Sequence, residues 1–182
     1  TLPNNLLKNL DKLYELCLDY NKIKSIKPEV FNHAINLLSL SLEGNQLQEI
    51  HRDLFKSQKK ISSLMLNNNQ ISKLHPDIFT ELPNLNSIHL KYNQLTEIDE
   101  KLFRNNENID KISLRGNKIK SVHPDAFKSL KKLHYLALTN NCIEEISEKL
   151  FATCSELNTL CLDHNQIREL HPHTFKNLKK IS

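Results

Sequence analysis

The chain has 182 residues and carries 25 lysines and arginines against 21 aspartates and glutamates, a formal net charge of +4 at pH 7. This length suits one domain, and the mild charge lacks the clustered basic stripe typical of nucleic-acid-binding proteins. Apolar runs stay well short of the ~18 residues that a membrane span needs. We therefore expect no nucleic-acid partner and no membrane span in this chain.

A 24-residue repeat organises the chain from its first residues onward. Residues 1–12 are predicted to end an earlier, partial repeat, because Leu7 matches the position that holds phenylalanine in later copies. Seven full repeats then cover residues 13–180, and residues 181–182 begin another. A fixed period of this length predicts stacked units that bury one shared core. We therefore predict a single repeat array over residues 1–182.

Each repeat opens with a short segment in which core and surface positions alternate, the period of a β-strand. In the first full repeat Leu16 and Leu18 point into the core. Glu15, Cys17 and Asp19 point outward. Because one similar crossover joins each segment to the next, we predict a parallel β-sheet with one strand per repeat.

An asparagine follows each predicted strand at a fixed repeat position. Its amide side chain offers donors and an acceptor to backbone groups that a buried turn leaves unpaired. We predict a structural ladder in which each asparagine bonds to neighbouring backbone. The members of this ladder are Asn21, Asn45, Asn69, Asn93, Asn117, Asn141 and Asn165.

The second half of each repeat is short, and a proline interrupts it in alternate repeats, so that no long helix fits there. A phenylalanine recurs there at one position, and the position three residues later alternates between apolar and polar residues. We predict short turn or 3-10 segments around a continuous structural spine. The spine consists of Phe31, Phe55, Phe79, Phe103, Phe127, Phe151 and Phe175.

The spacing LxxLxLxxNxIxxIxPxxFxxL resembles the 24-residue typical class of leucine-rich repeat along the whole chain. The resemblance implies an α/β fold: a right-handed solenoid, or horseshoe, with a parallel β-sheet on its concave face and turn or 3-10 segments on its convex face. It also implies an extracellular or cell-surface location. The opening sequence LPNNLL, with the later alternation of Leu-Phe pairs, resembles insect Toll-type and related immune leucine-rich repeat proteins.

Members of this class usually close their ends with caps that carry cysteines. Neither end of this sequence contains such a cap. A solenoid without caps exposes its core at both ends. We therefore expect the sequence to be a fragment of a longer repeat array.

The four cysteines are predicted to be unpaired. Cys17 and Cys161 share one repeat position six repeats apart, which is about 29 Å at ~4.8 Å per repeat and outside disulfide reach. Cys154 occupies a core position, where a free thiol behaves as a small hydrophobe. Cys142 follows the ladder asparagine in its turn.

Motifs for catalysis, metal binding or cofactor binding are not evident. With two glycines the chain has no glycine-rich phosphate loop. His171 in the sequence His171-Pro172-His173 repeats a position held by histidine in earlier copies, so we assign it to the fold rather than to a metal. The acidic residues of the first two repeats suggest a solvated patch. We predict no enzyme, no catalytic residue, no metal and no cofactor.

The outward positions of the strand and turn segments carry the functional information, because the core does not dictate them. All four tyrosines lie in these segments, and tyrosine is enriched at protein interfaces, although it also suits β-strands. Small Ser113 and Ala137 are expected to leave room for side chains of a ligand. Because tyrosine and arginine dominate binding hot spots, we predict a ligand-binding cluster. It comprises His89, Lys91, Tyr92, Arg115 and Tyr135.

We predict a protein-recognition scaffold that binds a protein ligand on its concave face, and the resemblance implies a role in innate immunity or receptor signalling. Two alternatives stay open, a structural or adhesive array that assembles with itself and a regulatory or inhibitory subunit of an enzyme. The sequence does not identify the ligand or the oligomeric state.

Overall fold

The computed structural model describes residues 2–181. Residue 1 of the predicted partial repeat and residue 182 of the last predicted repeat lie outside the described residues. The chain forms a solenoid in which each repeat contributes one short strand to a seven-stranded parallel sheet, ordered β1-β2-β3-β4-β6-β8-β9. These strands are β1 (Glu15–Cys17), β2 (Ser39–Ser41), β3 (Ser63–Met65), β4 (Ser87–His89), β6 (Lys111–Ser113), β8 (Tyr135–Ala137) and β9 (Thr159–Cys161). The predicted solenoid with a parallel sheet is confirmed.

The strand register follows the sequence period without a shift. Glu15 pairs with Ser39, and Ser39 pairs with Ser63, each 24 residues further on. Equivalent residues therefore form straight rows across the sheet. The central residue of each strand points inward, and Leu40 and Leu64 are fully buried. The opposite face of the sheet, which we call the concave face, carries the first and third residues of each strand and the residue two positions after the strand ends.

The convex side consists of turns and short elements, as predicted. Within the described residues the helical structure is one 3-10 helix, Pro28–Phe31, which begins with proline at a position where a missing N–H costs nothing. Two strands of two residues each, β5 (Glu97–Ile98) and β7 (Ser121–Val122), pair in parallel on this side.

Asparagine side chains connect neighbouring repeats behind each strand. Asn45 accepts the backbone N–H of Ile23 at 3.0 Å and donates to the carbonyl oxygens of Leu18 at 2.9 Å and Leu42 at 3.1 Å. The same acceptor bond recurs along the ladder as far as Asn165, which accepts from Ile143. These bonds satisfy backbone groups that water does not reach.

Stacked phenylalanine rings fill the core beneath the convex side. The ring centroids of Phe79 and Phe103 lie 5.9 Å apart, and those of Phe103 and Phe127 lie 6.3 Å apart. Phe175 at the last repeat is 39% exposed, whereas the other six phenylalanines are buried.

The polar residues that follow the phenylalanines in alternate repeats reach back to the preceding repeat. The side chains of Gln58 and Asn106 donate to the carbonyl oxygens of Phe31 at 2.6 Å and Phe79 at 2.9 Å. Buried Cys154 holds the equivalent position in the sixth repeat, and its sulfur lies 3.8 Å from the carbonyl oxygen of Phe127. The alternation in the sequence therefore places a side-chain donor in every second repeat.

Candidate functional site

In the fifth and sixth repeats the middle row of the concave face is closed rather than open. Ser113 is 0% exposed and Ala137 is 3% exposed, so the expectation that these small residues leave room for a ligand is wrong. They lie between two rows that carry longer side chains such as Lys111 and Arg115. In these two repeats the surface that a ligand can reach is therefore formed by the two outer rows.

The residue directly before each ladder asparagine adopts a left-handed backbone conformation. Its φ angle lies between 53° and 70° in all seven repeats. The residues are Tyr20, Gly44, Asn68, Tyr92, Gly116, Asn140 and His164. For a bulky tyrosine this conformation costs on the order of 1–3 kcal/mol, and such strain is concentrated at functional sites. The turn thus forces two tyrosine side chains into one fixed direction.

Each of these two tyrosines lies against the glycine of the next repeat. A Cβ atom on Gly44 would lie 2.5 Å from Cδ1 of Tyr20, and one on Gly116 would lie 2.5 Å from Cδ1 of Tyr92. Glycine therefore fits these positions for two reasons: it adopts the left-handed turn without strain, and it has no side chain that would clash with the tyrosine ring. Tyr92 is 46% exposed as a residue, and its ring packs against the turn of the next repeat at Gly116.

Basic side chains lie over the aromatic rings in the fourth to sixth repeats. The guanidinium carbon of Arg115 lies 6.0 Å from the centroid of the Tyr92 ring. The Nζ atom of Lys111 lies 5.0 Å from the centroid of the Tyr135 ring, and burial raises the pKa of the Tyr135 hydroxyl. Both distances fit cation–π contacts. Lys111 was not among the predicted site residues, although the 24-residue repeat places it in the same outward row as Tyr135.

His89 occupies the centre of this basic region. Its ring is half-buried on β4, and Nε2 lies 2.7 Å from the Ser87 hydroxyl oxygen. Burial, followed by the charges of Lys111 and Lys91, lowers the pKa of His89. The imidazole is therefore neutral near pH 7, and the positive charge of the region comes from Lys91, Lys111 and Arg115.

The five predicted ligand-binding residues thus lie on one face but do not form one continuous contact. Tyr92 is joined to Arg115, and Tyr135 is joined to Lys111. Lys91 is half-buried in the fourth repeat, and its backbone N–H donates to the side chain of Asn67 in the third repeat at 2.9 Å. Direct contacts therefore define two cation–aromatic pairs, one of which includes Lys111, a residue outside the predicted cluster.

An acidic region occupies the equivalent position in the first two repeats. The Tyr20 hydroxyl donates to Oε1 of Glu43 at 3.1 Å, and Asn67 donates to Oε2 of Glu43 at 3.0 Å. The hydrogen bond from Asn67 is the main cause that lowers the pKa of Glu43. Asp19 accepts from the Ser41 hydroxyl and from the backbone N–H of Glu43. These contacts fix both carboxylates in place, and the lowered pKa keeps Glu43 ionised at neutral pH.

Metal-binding clusters and membrane-spanning helices are absent from residues 2–181. No group of three or more histidine, cysteine, aspartate or glutamate side chains in this range could hold a metal ion. No helix in the described part of the chain is both long and apolar enough to cross a membrane. The four cysteines, all within the described range, are free thiols.

Comparisons with known proteins agree with this architecture. The family model described as the BspA type leucine rich repeat region (6 copies) matches residues 1–134, and the model described as leucine rich repeat matches residues 107–167. No curated protein sequence matches.

Two similar solved structures are a chain of the Toll–Spatzle complex, a molecular hub in Drosophila development and innate immunity, and a chain of the TLR13–ssRNA13 complex. The first is 28% identical with a TM-score of 0.85 over 91% of this chain, and the second is 24% identical with a TM-score of 0.75 over 98%. This chain spans 23% and 29% of the lengths of those two chains.

Proposed function

The chain belongs to the leucine-rich repeat family, and on this premise we propose that it is an extracellular or cell-surface recognition domain. It binds a protein ligand on the concave face, through the outer rows of the fourth to sixth repeats and through His89 in the middle row of the fourth. The contact residues are His89, Lys91, Tyr92, Arg115 and Tyr135, together with Lys111.

The observation that carries this proposal is the pairing of Tyr92 with Arg115. The Tyr92 ring lies against the backbone of Gly116, and the guanidinium group lies 6.0 Å from the ring centroid. A ring that is already fixed loses little conformational freedom when a ligand covers it. Tyrosine and arginine are the residue types that most often dominate binding energy. The site thus presents a preorganised anchor.

The charges indicate the chemistry of the ligand. Among the described residues, the ion pairs closer than 4.0 Å involve none of Lys91, Lys111 and Arg115. Three cations on one side of the sheet attract an acidic protein surface and orient it during encounter. We therefore propose a ligand whose contact surface carries several carboxylates around an apolar centre.

The similarity to the Toll–Spatzle structure supports a role in innate immunity or receptor signalling. That structure describes a complex formed by Toll, and this chain matches 23% of the length of the aligned chain. What carries over to the proposal is the class of function, recognition of a protein by a repeat scaffold.

A selection experiment tests the proposal. The chain would be used to select binders from a library of displayed extracellular proteins, at physiological salt. We expect the binders to lose affinity for the Arg115→Ala variant and to keep it for Lys128→Ala, a control that removes an exposed lysine from the convex side. Binders that depend on Lys128 and tolerate Arg115→Ala would contradict the proposed face.

A parallel titration with single-stranded RNA tests the class of ligand. Binding that depends on salt and on Arg115 would replace the protein ligand by a nucleic acid. We expect RNA to bind far more weakly than the selected proteins, because the basic region covers only three of the seven repeats.

A further inference from the structure

The charges of the concave face change sign about its third strand. The first residues of the first five strands of the sheet are Glu15, Ser39, Ser63, Ser87 and Lys111. The row just beyond those strands reads Asp19, Glu43, Asn67, Lys91 and Arg115. Both rows are acidic at β1, neutral at β3 and basic at β6. If the order of the strands is reversed, each row therefore places its acidic residues opposite its basic residues.

A twofold rotation brings such a face onto itself with opposite charges in contact. If the axis runs parallel to β3 in the plane above the sheet, the rotation reverses the order of the strands and preserves their direction. Strand β1 of one copy then faces β6 of the other, and β2 faces β4. Residues in one row face residues of the same row, which is the self-complementary geometry of an isologous dimer.

We propose that two copies of this chain associate through their concave faces about this axis. Glu15 faces Lys111 of the second copy, Asp19 faces Arg115, and Glu43 faces Lys91. Each of these pairs occurs twice in the dimer. Met65 lies at the axis, in a neutral repeat, where the curvature of two concave sheets leaves the widest gap.

The aromatic residues follow the same relationship. The rotation sets Tyr20 opposite Gly116 of the second copy, and Tyr92 opposite Gly44. These are the four residues in which a ring already lies against a glycine of the next repeat. Because the ring of Tyr92 covers Gly116 and the ring of Tyr20 covers Gly44, the rotation brings Tyr20 of one copy toward Tyr92 of the other at the edge of the interface.

The charges needed for this contact are available in the single chain. The ion pairs within 4.0 Å in the described residues involve none of the six facing side chains. Opposite charges on this face are separated by at least one repeat, so they do not neutralise each other by direct contact. A second copy supplies six such pairs, and long-range attraction orients it during encounter.

The area of the dimer interface indicates how tightly the two copies associate. Five strands spaced ~4.8 Å apart, each with about five residues in the interface, give a footprint of about 400 Å² on each copy. The total of about 800 Å² lies at the low end of specific interfaces and fits a weak, transient dimer. Because charged pairs supply much of the attraction, the dimer is expected to dissociate when salt is added.

The dimer is an association in addition to the binding of the proposed ligand, and it does not depend on that ligand. The ligand uses the basic half of the face, whereas the dimer also needs the acidic half, and Glu15 belongs to the dimer alone. If both associations exist, they compete for Lys91 and Arg115. A self-associated pair would then keep the recognition surface covered until a tighter ligand displaces one copy.

Sedimentation equilibrium of the chain, at low and high salt, measures the association. The test exchanges the charges of one facing pair with the variants Glu15→Lys and Lys111→Glu. Each single variant places like charges opposite each other at two points of the dimer, so we expect its dissociation constant to rise at least about tenfold. An equimolar mixture of the two variants restores every opposite pair, and so does the double variant with itself. Both are expected to return to the dissociation constant of the unchanged chain.

The folded state of each variant is checked by circular dichroism. If Lys111→Glu fails to fold because the lysine stacks on Tyr135, Asp19→Lys with Arg115→Glu provides the same exchange. A chain that stays monomeric at low salt would overturn the dimer. Association that strengthens with salt would indicate contact through apolar surface such as that near Phe175, and would overturn it as well. So would single variants that weaken association without rescue in the mixture.

Discussion

The ring of Tyr92 occupies the space that a side chain on Gly116 would need, since a Cβ atom there would lie 2.5 Å from Cδ1 of the ring. Gly116 also has a φ angle of +70°. Gly116→Ala should therefore lower the free energy of unfolding by about 1–3 kcal/mol, through strain in the turn and displacement of the ring. Urea denaturation measures this loss.

The ring contribution can be separated by a double-mutant cycle. In a Tyr92→Asn background, Gly116→Ala keeps the strain of the turn but meets no ring, so its cost should fall. Equal costs in the two backgrounds would show that the ring moves away freely.

Tyr92→Asn should separate binding from stability. Asparagine tolerates the left-handed conformation better than tyrosine and holds the same repeat position at Asn68 and Asn140. We expect the melting temperature to stay within a few degrees of the original, while affinity for a concave-face ligand falls by ~2 kcal/mol or more. Titration calorimetry of a selected binder measures the affinity. Loss of affinity accompanied by loss of folded structure would leave Tyr92 without a direct role.

The asparagine ladder should contribute most at its middle. Asn93 bonds to four backbone groups, one as acceptor and three as donor. Asn93→Ala should cost about 1–3 kcal/mol, because the buried N–H of Ile71 is left unpaired and the three carbonyl groups each lose one donor. The matched control is Asn21→Ala, at the same repeat position but exposed and bonded only to Leu18 and Asp19. Equal thermal shifts for the two variants would rule out the cooperative ladder.

Asn67 is not the neutral control that its outward strand position suggests. It is only 9% exposed, accepts the backbone N–H of Lys91, and donates to Glu43. Asn67→Ala is therefore expected to destabilise the protein as well, by about 1 kcal/mol. It should also raise the pKa of Glu43, because the Asn67 bond is the main cause of its lowering.

The lowered pKa of His89 predicts a loss of stability in mild acid. The unfolded chain takes up a proton near the ordinary histidine pKa of about 6.5, and the folded chain does so only at lower pH. Stability from this residue is therefore complete above about pH 6.5 and falls as the pH drops through the interval down to the folded pKa. Urea denaturation between pH 7.5 and 5 should show a smaller drop for His89→Gln than for the original chain. An identical pH profile for both would refute the effect.

The thiols should react in the order of their exposure. Cys17 is exposed, whereas Cys154 is buried and its pKa is raised to about 11 by that burial. Alkylation at pH 8 should label Cys17 rapidly and Cys154 only after unfolding, because the thiolate is the reactive form. Four thiols should be found in denatured, unreduced protein. A loss of two that dithiothreitol reverses would indicate a disulfide.

Period and composition were sufficient to predict the sheet, its register and the buried rows, because these depend on residue type and spacing alone. The conformation of Tyr20 and Tyr92 was not predicted, since a tyrosine in a strand segment normally indicates an extended backbone. A signal was nevertheless present in the same repeat position. Gly44, Gly116 and the asparagines there are the residue types that favour a left-handed turn.

The burial of Ser113 was missed for a different reason. Strand alternation places a residue on a face, but it does not tell how far the side chains in neighbouring rows cover it. Lys111 was overlooked because its contact with Tyr135 joins two repeats, and a reading of one repeat at a time does not reveal such a pair.

Side chains in alternate repeats donate hydrogen bonds to the phenylalanine carbonyl groups. Two successive repeats are therefore the smallest unit by which this solenoid can be lengthened or shortened without loss of such a bond. Gln58 and Asn106 each serve a carbonyl group in the repeat before them, and the repeats between carry apolar residues at that position, such as Leu82 and Leu130. Removal of a single repeat that holds a donor would leave two apolar neighbours and a carbonyl oxygen without its side-chain partner. Removal of an adjacent pair would preserve every such bond. Recombination or design that changes the length of this array should therefore succeed in steps of two repeats.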